Sequence, residues 1–273
     1  MTQTIFITGA SSGFGKAAAT LFAEKGWNVA ATMRTPKGDF AAFDNVLELP
    51  LDVTRADTIS SAVNAVVSRF GTIDVLLNNA GFAVNGLFEA STDEEIFRQF
   101  DTNVFGLMRV TRAFLPVMRK AGQGMILNLS SMGGVITLPM LSLYHASKFA
   151  VEGFTESLSY ELTSQNIQVK LIEPGSATTN FAGRSMTVSD ASGLTDYDAF
   201  VKNYTETRES YLSAERSSAD DIAKAIYTAA TDGKAQLRYV VGADAQAHID
   251  YRQKNGADRF VKKIKEDFNI TKA

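Results

Sequence analysis

Short apolar runs alternate along this chain with longer segments whose apolar residues repeat at helical spacing. The runs, which predict strands, are Thr4–Thr8, Asn28–Met33, Val46–Leu49, Ile73–Leu77, Gly124–Leu129, Gln168–Glu173 and Leu237–Val241. The segments of helical period lie near residues 13–25, 55–70, 93–120, 144–165 and 218–232. Several runs are almost wholly apolar, which is typical of strands covered on both faces. We therefore predict an α/β fold with a single doubly wound parallel sheet flanked by helices.

A polar and aromatic stretch with weak periodicity extends from about residue 176 to residue 215. An irregular insert of this length inside a compact domain is more often a binding lid than a spacer. We therefore expect a variable lid near 176–215 that becomes ordered when ligand binds. The chain shows no internal repeat, low-complexity tract or flexible linker, so we predict a single domain over residues 1–273, with a C-terminal extension after about residue 242.

Composition narrows the classes of function. The 273 residues carry 27 Lys and Arg against 30 Asp and Glu, a formal net charge of −3, which gives no indication of nucleic acid or membrane as partner. Cysteine is absent and only two histidines occur, so no metal site is expected. The first strand begins at Thr4, leaving no room for a signal peptide, and no run of about 18 apolar residues could span a bilayer. We expect a cytoplasmic protein.

The stretch TGASSGFG, Thr8 to Gly15, follows the first predicted strand and opens the first predicted helix. Gly9 can adopt backbone angles closed to other residues, Gly13 admits close approach of a phosphate, and Gly15 allows tight packing of the helix. The free N–H groups at the start of the helix can then bind a pyrophosphate. This strand–loop–helix placement predicts a dinucleotide site.

The residue that selects between nicotinamide dinucleotides is expected about 20 residues beyond the loop, where an acidic side chain bonds the ribose 2′-hydroxyl of NAD. Counting from Gly13 gives Met33, with Arg34 next to it. A carboxylate would repel a 2′-phosphate, whereas a guanidinium binds one through two hydrogen bonds. Arg34 therefore favours NADP(H) as the cofactor.

Further short motifs follow the predicted strands. They are LDV (Leu51–Val53), NNAG (Asn78–Gly81), NLSS (Asn128–Ser131), YHASK (Tyr144–Lys148) and EPG (Glu173–Gly175). Ligands in open α/β sheets bind beyond the carboxyl ends of the strands, so these motifs converge on one crevice. Together they resemble the short-chain dehydrogenase/reductase family, from about Thr4 to Val241. The resemblance implies a Rossmann-type dinucleotide-binding and catalytic domain whose substrate lid is the part that varies most.

The resemblance assigns roles residue by residue. The pyrophosphate side of the cofactor would be held by Gly9, Ser11, Ser12, Gly13, Phe14 and Gly15. The adenosine half would be met by Asp52, Val53, Asn79, Ala80 and Gly81, and the nicotinamide end by Pro174, Gly175 and Thr179. The positions that match the catalytic set of the family are Asn103, Ser131, Tyr144 and Lys148.

The spacing within YHASK supports that assignment physically. Residues four apart lie on one helix face, roughly 5–6 Å apart between Cβ atoms. The ammonium of Lys148 can therefore favour the ionised form of the Tyr144 phenol and lower its pKa toward the working pH. The resemblance implies that Tyr144 exchanges the proton and Ser131 bonds the reacting oxygen. It also implies that Lys148 binds the nicotinamide ribose and that Asn103 helps to hold a proton-relaying water.

Three polar residues beside these motifs are not expected to take part in chemistry. His145 faces away from Tyr144 by helical spacing, so we expect it to have a structural role. Asp101 and Glu152 are predicted to be solvated helix charges.

We therefore expect an NADP(H)-dependent oxidoreductase that reduces a carbonyl group or oxidises a secondary alcohol. A 3-oxoacyl reductase-like enzyme and a catalytically silent NADP-binding regulatory protein stay open as alternatives, although the complete set of four disfavours a silent protein. A sugar-nucleotide epimerase or dehydratase also suits the Tyr–Lys pair, but the short chain disfavours it.

The substrate is expected to be a lipophilic small molecule, because the residues near the crevice are largely apolar or aromatic. Those flanking the expected pocket are Phe82, Val84, Met140, Leu141 and Leu143, and those offered by the lid are Phe181, Met186, Leu194, Tyr197, Phe200 and Tyr204. The sequence leaves open the identity of the substrate, and whether the chain forms a homo-oligomer such as a dimer or tetramer.

Overall fold

A computed structural model describes residues 2–178, 185–212 and 216–270. Over these residues the strands are β1 (Thr4–Thr8), β2 (Asn28–Met33), β3 (Val46–Pro50), β4 (Val75–Asn78), β5 (Ala83–Asn85), β6 (Gly124–Leu129), β7 (Ile167–Pro174), β8 (Ala177–Thr178), β9 (Met186–Val188), β10 (Ser217–Ser218) and β11 (Arg238–Val241). Each strand predicted from an apolar run is found, with bounds that agree to within about two residues.

The helices alternate with these strands. They are α1 (Gly13–Glu24), α2 (Ala56–Phe70), α3 (Asp93–Phe100), α4 (Leu107–Ala121), α5 (Ser142–Thr163), α6 (Asp198–Leu212), α7 (Ala219–Thr231), α8 (Ala243–Asn255) and α9 (Ala257–Asp267). A π-helical segment, Asp101–Gly106, joins α3 to α4, and a 3₁₀ turn, Met132–Gly134, follows β6. None of the described helices is both long and apolar enough to cross a membrane.

Seven of the strands form one parallel sheet in the order β3-β2-β1-β4-β6-β7-β11. The chain first builds outward from β1 to β3 and then crosses back to β4, so the direction of winding reverses between β1 and β4. A crevice opens beyond the carboxyl ends of the strands at such a reversal. The predicted doubly wound Rossmann-type fold is thus confirmed.

Both faces of the sheet are covered, which explains the almost wholly apolar strands. In β1, Ile5 and Ile7 face the side covered by α1 and α7, and Phe6 faces the side covered by α2, α4 and α5. The rings of Phe6 and Phe114 lie 4.5 Å apart between centroids in that second layer. Successive residues of β1 are therefore buried in opposite cores, as the alternation of strand side chains requires.

The C-terminal extension packs back onto the carboxyl edge of the sheet. Phe260 and Ile264 of α9, with Phe268 just beyond it, are buried against Met132 and Ile136, which follow β6. The same cluster includes Tyr204 of α6, whose ring stacks on Phe268 with centroids 5.9 Å apart. The extension therefore forms part of the structure around the crevice.

The expectation of an irregular lid is wrong for residues 198–212, which form α6. The helix was missed because its inward positions include Tyr204 and Tyr211, aromatic residues separated by two turns, in an otherwise polar sequence. Two short parallel pairs, β5 with β9 and β8 with β10, hold neighbouring parts of the stretch. Residues 179–184 and 213–215, and with them the predicted roles of Thr179 and Phe181, lie outside the described residues.

Candidate active site

A cleft of about 1090 Å³ lies beyond the carboxyl ends of the central strands. The predicted cofactor residues that line it are Gly9, Ser11, Ser12, Gly13, Phe14, Arg34, Asp52, Val53, Asn79, Ala80, Gly81, Pro174 and Gly175. Ser131, Tyr144 and Lys148 line the same cleft, whereas Gly15 and Asn103 do not. The fold thus brings together residues that are up to about 166 positions apart in the chain.

The glycine loop is fixed against the end of β4. The side-chain amide of Asn79 donates to the carbonyls of Thr8 and Gly9 at 2.9 and 3.0 Å, and Gly9 has a positive φ of 72°. A Cβ on Gly9 would lie 2.9 Å from the Cα of Ala80, and a Cβ on Gly15 would lie 2.4 Å from the Gly9 carbonyl oxygen. Gly15 therefore serves close packing of α1, and the surface offered to a ligand comes from the residues before it.

The start of α1 has the properties of an anion site. A Cβ placed on Gly13 would meet no atom within 4 Å, so the space above the loop is open. Ser12 occupies the N-cap position without a capping hydrogen bond from its side chain, and the first turn carries no acidic residue. The first N–H groups of the helix are left without a side-chain cap, and the helix dipole favours negative charge there.

At the other end of the cleft, Arg34 directly follows β2. Its side chain is exposed, while the neighbouring Met33 is buried in the core and also lines the cleft. Asp52, after β3, accepts hydrogen bonds on Oδ1 from the main-chain N–H and the hydroxyl of Thr54, at 2.9 and 2.7 Å. Among the described residues, Arg34 has no hydrogen bond or ion pair from its side chain, so its guanidinium can bind an anion.

Ser131 and Tyr144 meet at the carboxyl end of β6. Ser131 caps the 3₁₀ turn by accepting from the N–H of Gly133 at 3.0 Å, and its hydroxyl lies 3.5 Å from the Pro174 carbonyl oxygen. The same hydroxyl is hydrogen-bonded to the phenol of Tyr144. The two hydroxyl groups therefore lie side by side on the cleft wall, where both can contact one substrate oxygen.

The protein's own groups shift the pKa of Tyr144 in the direction opposite to our prediction. Burial raises the pKa of the phenol, and the hydrogen bond from Ser131 opposes this effect only in part. Burial also lowers the pKa of Lys148 to about 8, although the negative charge of Glu152 acts to raise it. The ammonium donates to the Leu129 carbonyl at 2.7 Å. Tyr144 is therefore held as a neutral phenol near neutral pH, which is the form that donates a proton.

Asn103 lies in the π-helical segment with its side chain buried. Its amide donates to the carbonyl of Phe82 at 2.9 Å and to the hydroxyl of Ser147 at 3.2 Å, and its Oδ1 accepts from the Phe82 N–H at 3.0 Å. These bonds hold the segment after β4 against α5. The side chain of Asn103 is thus committed to positioning the cleft wall.

The prediction that Glu152 is solvated is wrong. Glu152 lies one turn beyond Lys148 on α5 and is only 6% exposed. Arg238 of β11 places its Nε 3.1 Å from Glu152 and 3.3 Å from Glu173, and it also pairs with Glu156 at 2.6 Å. Burial raises the pKa of Glu173 to about 8, with Glu152 acting in the same direction. Glu152, which acts on Lys148, is therefore one of a pair of buried carboxyl groups that share Arg238.

His145 has a structural position, as expected, and Asp101 is partly exposed to solvent. His145 is buried, and its ring nitrogens bond the Gly133 carbonyl and the Leu138 N–H, both at 2.8 Å, which fixes the loop between β6 and α5. Burial lowers the pKa of this imidazole, so it stays neutral as a structural group. Asp101 is partly exposed and pairs with Arg109 at 2.7 Å.

Asp244 is a residue near the site that the sequence analysis did not find. Its Oδ2 accepts the main-chain N–H of Ser176 at 2.7 Å, next to Gly175 in the loop after β7. A Cβ on Gly175 would lie 2.2 Å from Asp244 Oδ1, so only glycine allows this approach. The first turn of α8 thereby fixes one wall of the cleft. No local motif marks Asp244, because its partner lies 68 positions earlier.

The remaining lining of the cleft includes apolar, aromatic and cationic side chains. Of the residues expected around the pocket, Phe82, Leu141, Met186 and Tyr204 line it, whereas Val84 and Leu143 are buried elsewhere and Met140, Leu194, Tyr197 and Phe200 do not reach it. The lining residues that were not predicted from the sequence include Arg98, Arg208, Arg216 and Phe268. Arg208 could have been predicted, because it lies one helical turn after Tyr204 and so shares a helix face with it.

Known proteins with similar sequences and similar structures have been found. The chain is 42% identical over 203 residues to a 3-ketodihydrosphingosine reductase of Bacteroides thetaiotaomicron, covering 74% of each protein. The crystal structure of a short-chain dehydrogenase from Streptomyces avermitilis superimposes with a TM-score of 0.85 at 33% identity, covering 99% of this chain and 98% of that one. A 3-ketoacyl-(acyl-carrier-protein) reductase of Brucella melitensis, solved with NADH, has a TM-score of 0.74 at 26% identity, covering 89% and 98%.

The family assignment follows from the match of the sequence itself. The model of the short chain dehydrogenase family matches residues 3–188, which include the glycine loop and YHASK. The relatives extend the likeness through the C-terminal part of the chain, since the Streptomyces structure covers nearly all of it. The protein has a Rossmann-type fold and belongs to the short-chain dehydrogenase/reductase family of oxidoreductases.

Proposed function

We propose that this protein is an NADP(H)-dependent reductase of carbonyl groups on lipophilic small molecules, which also oxidises the corresponding secondary alcohols. The observation that carries the proposal is the hydrogen-bonded pair of Ser131 and Tyr144 beside Lys148, in the same cleft as the glycine loop. An acid, a hydrogen-bond donor and a cation then surround one position for a substrate oxygen.

The residues present fit a nicotinamide dinucleotide. Gly9, Ser12 and Gly13 form an open loop at an uncapped helix start, which suits a pyrophosphate. Asp52 lies beyond β3 for the adenine, and Gly175 lies beyond β7 for the nicotinamide. When bound, the cofactor supplies or accepts the hydride.

The protein's contribution to carbonyl reduction is acid catalysis and stabilisation of charge. Tyr144 donates its phenolic proton to the substrate oxygen as that oxygen gains negative charge. Ser131 donates a hydrogen bond to the same oxygen and stabilises the charge before the proton arrives. Lys148, with Nζ 5.8 Å from the centroid of the Tyr144 ring, stabilises the phenolate that remains. In alcohol oxidation the phenolate accepts the proton instead.

Arg34 supports NADP(H) as the cofactor. The Brucella relative was solved with NADH, so family membership alone does not select the dinucleotide. Here the position after β2 presents an exposed guanidinium, next to a buried methionine. A guanidinium attracts the 2′-phosphate of NADP(H), and no carboxylate at 33 or 34 is present to bond the ribose hydroxyls of NAD(H).

Two relatives are named as reductases of keto compounds, which supports a ketone as the group that reacts. The aromatic and aliphatic residues of the cleft support a lipophilic substrate. We also infer that the chain acts as one domain, because Asp244 and Phe268 of the extension contribute to the cleft that the glycine loop opens.

The proposal is tested by following NADPH oxidation with purified protein over a panel of aliphatic and aromatic ketones and aldehydes. We expect turnover with at least one lipophilic carbonyl compound. NADPH binding without turnover over the whole panel would support the silent regulatory alternative, and absence of NADPH binding would reject both readings.

A further inference from the structure

The cleft carries more positive charge than the proposed chemistry uses. Among the described residues that line it, the cationic side chains are those of Arg34, Arg98, Lys148, Arg208 and Arg216, and the one carboxylate is that of Asp52. The whole chain has a formal net charge of −3. Positive charge is therefore concentrated in the cleft. Arg34 and Lys148 have roles toward the cofactor under the proposed function, and the other arginines have none.

Arg208 is the most informative of these arginines. It lies on α6 one turn after Tyr204, whose buried ring stacks on Phe268 and whose hydroxyl accepts from the Asn85 amide at 3.1 Å. These contacts fix the orientation of the helix and turn Arg208 toward the cleft. Its side chain is half-buried and makes no hydrogen bond or ion pair with the rest of the described chain. A half-buried guanidinium that forms no ion pair with a described carboxylate is suited to binding an anion.

Arg98 differs because it already has protein partners. Its guanidinium lies 4.9 Å from the centroid of the Phe82 ring and donates to the hydroxyl of Thr187 at 2.9 Å. It therefore joins α3 to β9. Its charge adds to the positive potential of the cleft, but its geometry is already determined by these two contacts.

The position of Arg208 separates it from the phosphates of the cofactor. Arg34 follows β2, and Ser131 follows β6, three strands away, which is about 14 Å at the usual spacing of neighbouring strands. Tyr204 on α6 packs in the same cluster as Met132, directly beyond Ser131. Arg208 thus belongs to the substrate side of the cleft, whereas Arg34 and the glycine loop belong to the cofactor side.

We propose that the substrate is an amphipathic carbonyl compound with an anionic group, a carboxylate or a phosphate, that binds Arg208. Its apolar body would lie against Phe82, Leu138, Leu141, Met186, Tyr204 and Phe268. This inference rests on the proposed function, because it places the carbonyl group at Ser131 and Tyr144. The anion and the ketone are then held at two separate points, which fixes the orientation of the carbonyl toward the cofactor.

The test compares matched ketones that differ only in charge. Wild-type protein is assayed with NADPH on oxo-carboxylates of varied chain length, their methyl esters, oxo-alkyl phosphates and amino ketones. We expect kcat/KM about 10- to 100-fold higher for an anionic ketone than for its neutral partner, the range for hydrogen bonds to charged groups. The carboxylate and phosphate arms show which anion is preferred. Equal rates for neutral and anionic partners, or faster turnover of the amino ketones, would overturn the inference while leaving carbonyl reduction established.

Arg208→Gln then locates the anion site. The variant should lose the preference for anionic ketones, keep its rate on neutral esters and keep its affinity for NADPH, measured by fluorescence titration. Lys202→Gln is the matched control, because it removes one positive charge from the exposed face of the same helix, where Lys202 pairs with Glu206 at 3.9 Å. If Arg208→Gln weakens NADPH binding, or if Lys202→Gln abolishes the preference as well, the assignment of Arg208 to the substrate is wrong.

Discussion

Lys148 lies with its Nζ 5.8 Å from the centroid of the Tyr144 ring, one turn further along α5. The ammonium donates to the Leu129 carbonyl at the end of β6, at 2.7 Å. Burial is the largest influence on the pKa of both side chains, raising that of Tyr144 and lowering that of Lys148 to about 8. The site is suited to donating a proton, which is the step that carbonyl reduction needs.

Replacing Tyr144 with Phe removes the acid and leaves the ring in place. We expect kcat for ketone reduction to fall by at least about 100-fold, the range for general acid–base catalysis, with little change in NADPH affinity. Tyr160→Phe is the matched control, since Tyr160 lies on the same helix and is 74% exposed. Steady-state kinetics and a fluorescence titration measure both quantities, and near-normal turnover in Tyr144→Phe would reject the phenol as the acid.

The lowered pKa of Lys148 predicts the pH dependence of reduction. A lysine is charged below its pKa, so the ammonium is present up to about pH 8 and is lost above it, well before an exposed lysine would lose its proton. We expect kcat/KM for reduction to decline above about pH 8, because the phenolate left by Tyr144 then lacks its cation. Lys148→Arg, which stays charged, should be slower but should not show this decline. If kcat/KM of that variant still declines above about pH 8, the group that titrates is not Lys148.

The bond between Asp244 and Ser176 predicts that the C-terminal extension supports catalysis. In Asp244→Ala the loop after β7 loses its 2.7 Å anchor, and we expect kcat/KM to fall by about tenfold or more because the cleft wall is displaced. Asp244→Asn keeps an oxygen acceptor and should recover most of the activity. Asp250→Ala, further along α8 with an exposed partner in Gln246, should behave as wild type. Equal activity in all three variants would show that the anchor is dispensable.

The buried carboxyl groups that share Arg238 predict a pH-dependent loss of stability when Arg238 is removed. Arg238→Met leaves Glu152 and Glu173 without their guanidinium partner, and we expect the free energy of unfolding to fall by about 3 kcal/mol at alkaline pH. Both folded-state pKa values are raised by burial, so protonation relieves the cost and the difference from wild type should shrink as the pH falls.

The control for that experiment is Arg55→Met. Arg55 pairs with Asp57 at 2.7 Å, but both side chains are about two-thirds exposed, so its loss should cost no more than about 1 kcal/mol. Denaturant unfolding at acidic and alkaline pH measures both variants. A loss in Arg238→Met that is the same at every pH would contradict this account of the carboxylates.

The sheet and the cofactor side of the cleft could be predicted from the sequence because their determinants are local. Strands buried on both faces appear as apolar runs, as in β1 and β4, and the glycine loop joins a strand directly to a helix. The carboxyl ends of parallel strands share one edge, so Ser131 and Gly175 were predicted to lie near each other without knowledge of any contact.

The parts that were not predicted depend on partners far away in the chain. Glu152 is buried because Arg238, 86 positions later, reaches it, and a glutamate on a helix otherwise indicates a solvated face. The helix α6 has a polar sequence whose buried position at Tyr204 is defined by Phe268 of the extension. Charge in the cleft, such as that of Arg208, likewise becomes visible only when both walls are assembled.

Arg34 provides the final prediction, because its guanidinium predicts a cofactor preference that the rest of the site does not. A partly exposed guanidinium–phosphate pair contributes about 1.5–3 kcal/mol, or roughly 10- to 150-fold in affinity. Arg34→Ala should therefore weaken NADPH strongly and NADH hardly at all, with a difference that shrinks at high salt. Adding Met33→Asp should turn the preference toward NADH, since Met33 also lines the cleft and a carboxylate there can bond the ribose hydroxyls.

The most direct test of the proposed function is the ratio of kcat/KM for NADPH to that for NADH in wild-type protein, measured with one reducible ketone and repeated in Arg34→Ala. The proposed function predicts a wild-type ratio well above one, by roughly 10- to 150-fold, that falls toward one in the variant. A wild-type ratio at or below one, or a ratio that Arg34→Ala leaves unchanged, would contradict it.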